Sequence, residues 1–378
     1  MNKEDLSLFR DMAVRAFEQE VTPFFEEWEE AEIAPRELWR TLGAAGLLCP
    51  DMPEQYGGAG TSPDVTVVIA EELARMGYGG IATGYNVHCG VVTAYVHNLG
   101  TEEQKQYWLP KMVSGEAMGA IAMTEPGAGS DVQKIRTQAV KKDRGWILNG
   151  SKTFISNGCH ADLAVVAAVT DPGKGAKGIS LFLVDASLPG FERGKKIAKM
   201  GIHSSDTAEL FFSDVHLPEE ALLGELNRGF MSLMSELPRE RMTCAAQALG
   251  AAEGALEVTV NYVKEREAFG KPLSKLQNTR FKLADAKAQV VLHRTLYEKQ
   301  LAAFAEGKLS ADDAALLKLS TTEMSCRVID DCLQMFGGYG YTAEYAISRF
   351  YRDVRIGRIW GGTSEIMREL VARSLLDS

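Results

Sequence analysis

The spacing of hydrophobic and polar residues divides the chain into three regions. Up to about residue 119, apolar side chains recur every three or four positions, as between Leu6 and Phe17, which predicts helices with one buried face. Between about 120 and 230 the pattern changes to short apolar runs bounded by Gly, Asp, Asn and Pro. Beyond about 231 the helical spacing returns. We therefore predict an α+β fold with an N-terminal helical domain at 1–119, a middle β domain at 120–232 and a C-terminal helical bundle at 233–378.

Four runs in the middle region have the composition of strands. They are residues 145–150, 163–169, 179–184 and 208–212. Because no helical pattern separates them, we predict an antiparallel barrel or sandwich rather than a Rossmann sheet, whose strands alternate with helices.

Several predicted helices carry start signals or an apolar face. Thr101 and Gln104 have the spacing of a capping box, and Ser310 is expected to cap a later helix. The helix that begins near Leu276 has a row of apolar residues at helical spacing, which predicts a strongly amphipathic helix of the bundle. This row consists of Phe281, Ala284, Ala288, Val291, Leu292 and Leu296.

Composition and charge exclude several classes of function. The chain has 378 residues, of which 46% are hydrophobic and 24% charged, as in an ordinary globular protein. A net charge of -10 argues against nucleic acid as the main partner, because phosphate binding needs a basic face. No apolar run approaches the roughly 20 residues that span a bilayer. The first residues include acids and no apolar h-region, so we expect no secretory signal.

The cysteines and histidines predict neither disulfides nor a metal site. The six cysteines form no CxxC pair and no secreted framework, so we expect reduced thiols and a cytoplasmic location. The six histidines form no HxxxH or HExxH arrangement, so we expect no bound metal.

Two glycine-containing segments carry the most specific signal. Residues 122–131 read Ala-Met-Thr-Glu-Pro-Gly-Ala-Gly-Ser-Asp, in which Pro126 fixes φ and the glycines permit a sharp turn or close approach to a ligand. Residues 149–158 read Asn-Gly-Ser-Lys-Thr-Phe-Ile-Ser-Asn-Gly. A surface turn would explain either segment alone. Together, in this order and separation, they resemble the flavin-binding signatures of the acyl-CoA dehydrogenase family. The resemblance covers nearly all of the chain and is closest to the long-chain and isovaleryl-CoA dehydrogenase branch.

The resemblance implies an FAD-dependent enzyme of fatty acid β-oxidation that converts an acyl-CoA thioester to the trans-2-enoyl-CoA. This reaction needs a carboxylate for the α-proton, donors for the developing enolate oxygen and an acceptor for the β-hydride. No protein side chain accepts a hydride, so the flavin fills that role. The family also implies a homotetramer that passes electrons to an electron-transfer flavoprotein. Two alternatives stay open: a flavin oxidase or monooxygenase on the same fold, and a non-catalytic binding or assembly protein.

Two groups of cofactor residues follow from the resemblance. The hydroxyls of Thr124 and Ser156 correspond to groups that bond the isoalloxazine, against which Phe154 packs. Arg266 opens an Arg-x-x-Phe-Gly segment that reaches the FAD of a neighbouring subunit, and Arg matches the geometry of phosphate oxygens. Gln334 opens a glycine segment at the same interface. The implied cofactor residues are Met123, Thr124, Gly129, Ser130, Phe154, Ile155, Ser156, Arg266, Phe269, Gln277, Gln334, Gly337, Gly338, Thr363 and Glu365.

Glu240 is the implied catalytic base. Many family members carry the base in a Tyr-Glu-Gly-Thr segment near the C-terminus, where this chain has Gly361. The long-chain and isovaleryl branch carries it on an earlier helix just before an Arg, and here Glu240 precedes Arg241. A solvated helix carboxylate is the plain alternative for Glu240. The backbone N–H of Gly361 is the implied protein donor to the thioester carbonyl.

The implied substrate residues come from all three predicted domains. Trp360, where Tyr is usual, is expected to wall the thioester. Gly90 and Ala94 match the helix that floors the acyl pocket, and their small size suggests an open, deep pocket; close helix packing explains them equally well. The full set is Gly90, Ala94, Ser130, Leu237, Arg241 and Trp360.

Overall fold

Helices form both ends of the chain and a sheet forms its middle. The computed structural model describes residues 3–376. The N-terminal helices are α1 (Lys3–Glu20), α2 (Phe25–Ala31), α3 (Arg36–Ala44), α4 (Asp64–Arg75), α5 (Gly79–Tyr85), α6 (Thr93–Leu99) and α7 (Glu102–Val113). Between α5 and α6, Asn86–Val92 continues the same rod as a π-helix, a rare geometry that is frequent at functional sites.

The middle of the chain forms one eight-stranded sheet. Its strands are β1 (Gly119–Ala122), β2 (Gln138–Lys142), β3 (Gly145–Ser156), β4 (Leu163–Val169), β5 (Ile179–Asp185), β6 (Phe191–Lys196), β7 (Thr207–Pro218) and β8 (Leu222–Leu223). They follow the order β6-β7-β3-β2-β4-β5-β8, with β1 beside β4. The predicted antiparallel pairing holds for most neighbours, but β4 runs parallel to β1 and β2. A parallel neighbour needs a long crossover, and β1 reaches β4 only after β2 and β3.

The C-terminal region is helical, with a two-stranded hairpin after its first helix. Its elements are α8 (Gly229–Glu265), β9 (Glu267–Ala268), β10 (Lys271–Pro272), α9 (Gln277–Ala305), α10 (Ala311–Phe336), α11 (Ala346–Val354) and α12 (Ser364–Leu376). The α+β class with helical ends is thus confirmed. Helix α8 begins at Gly229, so the predicted boundary after residue 232 falls inside it, and the exact domain limits stay a prediction.

Both predicted helix caps are confirmed. The Thr101 hydroxyl accepts a hydrogen bond from Gln104 N, and the Gln104 side chain accepts one from Thr101 N, which makes a capping box for α7. The Ser310 hydroxyl accepts from Asp313 N at 3.0 Å and caps α10. Each cap satisfies a backbone donor that the helix itself leaves unpaired.

The apolar row of α9 faces solvent in this chain, apart from Leu296, which packs against the C-terminal core. Phe281 is 60% exposed and Leu292 is 64% exposed. Helix α9 packs inward through a different set, Ala286, Val290, Tyr297 and Leu301. At 100° per residue these positions lie on the opposite side of the helix. Apolar residues therefore lie on two opposite sides of α9, so the prediction of a strongly amphipathic helix is wrong: the row that the spacing identified is not the side that packs into the core.

Three hydrophobic cores hold the elements together. The first joins the N-terminal helices to one face of the sheet, the second joins α4 to α8, α9, α10 and α11, and the third fills the other face of the sheet. Within residues 3–376, no helix is both long and apolar enough to cross a membrane.

Candidate active site

The two glycine-containing segments of the sequence lie side by side. Segment 122–131 leaves the end of β1, and segment 149–158 forms the second half of β3 and the turn after it. Thr153 N donates to Thr124 O at 2.9 Å, which joins them through the backbone. Met123, Thr124 and Ser156 are each half-buried. Their polar atoms therefore border the surface at one place on the β domain.

A buried ion pair also joins these segments. Lys152 Nζ donates to Glu125 Oε1 at 2.8 Å and to Met123 O at 3.0 Å. The carboxylate also accepts from Arg136 N and Thr137 N. Burial pushes the pKa of Glu125 upward, but the Lys152 ammonium and these donors hold it below its ordinary value. Burial lowers the pKa of Lys152 to about 8. Sequence reasoning missed this pair, although each segment contains one of the two charges.

A β-bulge turns Phe154 outward from the sheet. The register of β3 against β7 shifts between Lys152 and Ile155, and Phe154 has a left-handed φ of 57°. The Phe154 ring is 66% exposed, whereas Ile155 is 2% exposed and anchors the strand. The bulge therefore presents a flat aromatic surface next to the hydroxyl of Ser156.

The turn that carries Gly129 and Ser130 is open to solvent. Both residues are exposed, and a Cβ added at Gly129 would meet no atom within 4 Å. A ligand can therefore approach this backbone closely from outside.

A separate cleft brings together the C-terminal cofactor residues. Its volume is about 480 Å³, and Arg266, Gln334, Gly337 and Gly338 are among the residues that line it. The Arg266 guanidinium lies 5.2 Å from the centre of the Tyr339 ring. Nearby in sequence, Phe269 is 93% exposed and Gln277 is exposed at the start of α9. None of the described residues lining this cleft comes from segments 122–131 and 149–158.

Glu240 and Gly361 face each other across the C-terminal helices. A Cβ built on Gly361 would lie 3.6 Å from Glu240 Oε1 and 3.2 Å from Cys244 Sγ. Glu240 Oε2 is buried with no hydrogen-bond partner among the described residues. Burial raises the pKa of Glu240, while the positive charges of Arg241 and Lys318 oppose that shift. This is a desolvated carboxylate, not the solvated one that most helix glutamates are.

The backbone around Gly361 forms a turn with two left-handed glycines. Gly361 has a φ of 59° and Gly362 a φ of 92°, which other residues adopt only with strain. Lys318 Nζ donates to Gly362 O at 2.7 Å and holds the turn. The Thr363 hydroxyl accepts from Ile366 N at 3.3 Å at the start of α12, and Glu365 is exposed there.

The implied thioester residues lie close to this turn. Trp360 and Cys244 line a cavity of about 40 Å³, together with residues of α8 and α11. Trp360 Nε1 and Arg241 Nε are buried without partners among the described residues. Leu237 is half-buried one turn before Arg241 on α8.

The space beside Gly90 is already filled. A Cβ on Gly90 would lie 2.3 Å from Asn86 Oδ1 and 3.4 Å from Thr243 Cγ2. Arg239 Nε donates to Gly90 O at 2.8 Å, which ties the π-helix to α8. Ala94 is 2% exposed. The small residues therefore allow close helix packing here, which is the second of the two explanations that the sequence left open.

One compact cluster has side chains of the kind that bind metals. Cys49, His88 and Cys89 are buried with their ligand atoms within 4.8 Å of one another. His88 Nδ1 accepts from Gly119 N and Nε2 contacts Met112 O, so both ring nitrogens already have partners. The cluster therefore lacks a free imidazole lone pair.

Three domain descriptions of one family match the chain. They are the acyl-CoA dehydrogenase N-terminal domain at residues 3–116, middle domain at 120–215 and C-terminal domain at 227–376. The chain belongs to the acyl-CoA dehydrogenase family. This confirms the resemblance found in the sequence, and it identifies the protein as an oxidoreductase of that family.

Relatives from the predicted branch are among the matches. The long-chain specific acyl-CoA dehydrogenase of Rattus norvegicus mitochondria is 45% identical over 371 residues, covering 98% of this chain and 86% of the relative. The isovaleryl-CoA dehydrogenase of Solanum tuberosum mitochondria is 36% identical over 369 residues, covering 97% and 89%.

Solved structures of acyl-CoA dehydrogenases share the fold. An acyl-CoA dehydrogenase of Geobacillus kaustophilus matches with a TM-score of 0.96 and 44% identity, covering 99% of this chain and 98% of that one. A glutaryl-CoA dehydrogenase of Mycobacterium smegmatis, in complex with FADH2, matches with a TM-score of 0.94 and 31% identity over 100% and 96%. A structure described as an electron transferring flavoprotein of Acidaminococcus fermentans, in work on flavin-based electron bifurcation, also matches. Its TM-score is 0.97 and its identity 40%, covering 100% of this chain and 99% of that one. Members of the family are FAD-dependent.

Proposed function

We propose that this acyl-CoA dehydrogenase converts an acyl-CoA thioester to the trans-2-enoyl-CoA, with Glu240 as the base. The observation that carries the proposal is the 3.6 Å between Glu240 Oε1 and the Cβ position of Gly361. Many relatives carry their base at the position of Gly361. The Glu240 carboxylate therefore reaches the same place from another helix.

The environment of Glu240 suits proton abstraction from a weak carbon acid. Its unpartnered Oε2 has no protein hydrogen to stabilise the anion, so the carboxylate is a stronger base than one in water. Gly361 has no side chain to compete for the proton, and its backbone N–H is a donor for the thioester carbonyl. Such a donor stabilises the negative charge that develops on that oxygen.

The residues present fit FAD. Half-buried hydroxyls of Thr124 and Ser156 and the outward ring of Phe154 suit the isoalloxazine, and the open turn at Ser130 suits the remainder of the ring site. Met123, Gly129, Ile155, Thr363 and Glu365 complete this group. Arg266, with Phe269, Gln277, Gln334, Gly337 and Gly338, suits the pyrophosphate and adenosine. When bound, the flavin supplies the acceptor for the β-hydride.

The exposed row on α9 supports assembly as a homotetramer. Phe281, Val291 and Leu292 form an apolar surface on the same helix whose start, Gln277, belongs to the second cofactor group. Exposed apolar surfaces of this kind mark interfaces. In this proposal a neighbouring subunit covers α9 and receives Arg266 and Gln334 at its own cofactor.

Substrate, electron acceptor and location complete the proposal. The long-chain relative supports a fatty acyl-CoA and fatty acid β-oxidation, and the Acidaminococcus work supports an electron-transfer flavoprotein as acceptor. Ser130, Leu237, Arg241 and Trp360 would contact the thioester end of the substrate, with Gly90 and Ala94 in the packed wall behind it. All six cysteines are free thiols, as in a reducing compartment such as the cytoplasm.

Spectroscopy of the purified protein tests the proposal. We expect flavin absorbance bands, and anaerobic bleaching of those bands by one or more members of a panel of acyl-CoAs of graded length. No flavin after reconstitution with FAD, or no bleaching by any acyl-CoA, would contradict the proposal and favour a non-catalytic protein. Bleaching followed by rapid oxygen consumption would identify an oxidase or monooxygenase instead.

A further inference from the structure

Lys318 is a fully buried cation in the N-terminal half of α10. Its side chain has 0% exposure, and Leu317 beside it is equally buried. A lysine is almost never buried in this way unless it is paired. Its Nζ donates a hydrogen bond to Gly362 O at 2.7 Å. That carbonyl is a neutral acceptor, so it orients the ammonium group but does not balance its charge.

Charged and titratable groups reach Lys318 from its own helix and from α8, which packs against it. They are Cys244, Arg241, Glu240 and Glu323. Burial raises the pKa of Cys244 to about 12, so that thiol is uncharged at neutral pH. Arg241 is a second buried cation and adds repulsion.

Glu323 is already balanced by other cations. Arg358 Nε and Arg368 Nη2 each contact Glu323 Oε1 at 3.1 Å. Glu240 is the other carboxylate that faces Lys318. Unlike Glu323, it has no ion pair among the described residues, and its Oε2 has no hydrogen-bond partner. Glu240 therefore helps to offset the charge of Lys318, by attraction over a longer range than a direct ion pair.

The same lysine also fixes the backbone opposite that carboxylate. Gly362, whose carbonyl Lys318 holds, directly follows Gly361. The Cβ position of Gly361 is 3.6 Å from Glu240 Oε1. One side chain thus anchors the turn that offers the backbone donor and supplies positive charge near the base.

We propose that Lys318 is a positioning residue for the dehydrogenation: its ammonium group anchors the Gly361–Gly362 turn and keeps the buried Glu240 carboxylate ionised until substrate arrives. This inference rests on the proposed role of Glu240. Without the cation, Arg241 alone of these two charges would oppose the effect of burial, so the pKa of Glu240 would lie higher and less of the carboxyl would be ionised. A protonated carboxyl cannot accept another proton. Burial lowers the pKa of Lys318 and raises that of Glu240, the directions expected when two opposite charges share a dry site and each is only partly compensated.

Two substitutions separate the charge of Lys318 from its hydrogen bond. Lys318→Gln keeps an N–H donor for Gly362 O and removes the charge, and Lys318→Arg keeps the charge. The pH dependence of anaerobic flavin reduction by acyl-CoA reports the protonation of the base. We expect the midpoint to rise by about 1 unit in Lys318→Gln, the lower end of the effect of a nearby opposite charge, and to stay nearer the wild-type value in Lys318→Arg. Arg327→Met, an exposed cation on the same helix, is the matched control and should leave the midpoint unchanged.

A second readout does not depend on turnover. The difference in melting temperature between Glu240→Gln and wild-type apoprotein changes with pH where Glu240 titrates. In the Lys318→Gln background that change should move to higher pH by the same amount. Equal midpoints in Lys318→Gln and wild type, in both measurements, would overturn the proposal. Should no acyl-CoA bleach the wild-type flavin, the proposed function fails, while the melting experiment still decides whether Lys318 acts on Glu240.

Discussion

Glu240 Oε1 and the Cβ position of Gly361 lie 3.6 Å apart, although 121 positions separate the two residues in the chain. Helix α8 and the turn before α12 approach the same point from different sides. Under the proposed mechanism, a carboxylate at either position would reach the same α-carbon, so a chain with Gly at 361 can carry its base at 240.

Replacing Glu240 by Gln should abolish most of the chemistry and leave the cofactor in place. Gln keeps the shape but cannot accept a proton, so flavin reduction by acyl-CoA should slow by a factor of about 10² to 10⁴. Stopped-flow reduction under anaerobic conditions measures the rate, and absorbance measures FAD content. Glu236→Gln, one turn earlier with Oε1 bonded to Asn98, is the control and should reduce normally. A wild-type rate in Glu240→Gln would place the base elsewhere.

Moving the carboxylate should restore part of the activity. Glu240→Gly with Gly361→Glu should turn over faster than Glu240→Gly alone. The recovery should be small, since a non-glycine residue at φ 59° is strained and its Cβ would lie 3.2 Å from Cys244 Sγ. Adding Cys244→Ala removes that contact and should raise turnover further. Equal rates in all three backgrounds, with normal FAD content, would show that the two positions do not serve the same carbon.

The stability gained by Glu240→Gln should grow with pH. Burial raises the folded-state pKa of Glu240 above its ordinary value, so its protonated form contributes stability below that ordinary value, and this is lost as pH rises through the raised one. The variant lacks this loss, so its melting temperature should exceed that of wild type more at pH about 8 than at pH about 5. Glu102→Gln is the control. Hydrogen bonds from Gln106 and Tyr56 lower the pKa of Glu102, so the stability that its carboxylate contributes is lost only as pH falls through that lowered value, and the melting-temperature difference should hardly change between pH about 5 and about 8. An equal change in both variants would contradict the assignment of Glu240 as desolvated.

Breaking the Glu125–Lys152 pair should destabilise the protein and release flavin together. Glu125→Gln leaves the Lys152 ammonium buried without its partner, which costs about 3 to 5 kcal/mol. Both segments of the proposed flavin site depend on this pair, so FAD occupancy should fall as well. Urea unfolding and absorbance measure the two effects. Glu219→Gln removes an exposed partner of Lys141 and should change the free energy of unfolding little, because exposed ion pairs contribute little to stability. Equal effects of the two variants would argue against a special role for the buried pair.

A charge in the exposed row of α9 should dissociate the proposed oligomer. Leu292→Glu places a carboxylate in that apolar surface, so light scattering should show smaller species and FAD occupancy should drop. Gln289→Glu adds the same charge to an exposed position on the flank of α9 and should leave assembly intact. A wild-type protein that is monomeric with flavin fully bound would rule out the shared cofactor site.

Most of the fold was predictable because it depends on local spacing. The predicted run 163–169 is β4 as observed, and the run 179–184 differs from β5 by one residue. The predicted runs 145–150 and 208–212 are shorter than β3 and β7. Strand β3 continues past residue 150 through polar residues and bulges, and β7 continues past the polar pair Ser213 and Asp214. The parallel pairing of β1 with β4 was not predictable, since register between distant strands leaves no local signal.

The sequence predicts the candidate site residues that belong to recognisable motifs. It does not predict those whose role depends on whether the side chain is buried. The motifs predicted that Thr124 and Ser156 belong to one site, and in the structure a backbone hydrogen bond from Thr153 N to Thr124 O joins their two segments. Lys318 was missed, because a lysine within Leu-Leu-Lys-Leu has the same sequence signal whether it is buried or extends to solvent. For Gly90 the sequence left a pocket and a close helix contact equally open, and only the structure shows the close contact.

Phe154 has two features that lower the stability of the apoprotein. A left-handed φ strains a residue with a Cβ by about 1 to 2 kcal/mol, and its ring is largely in water. A glycine there would relieve both, so Phe154→Gly should melt higher than wild type as apoprotein and lower than wild type when FAD is present in excess. If the order of the two melting temperatures reverses on adding FAD, the bulge lowers the stability of the apoprotein and raises its affinity for the cofactor.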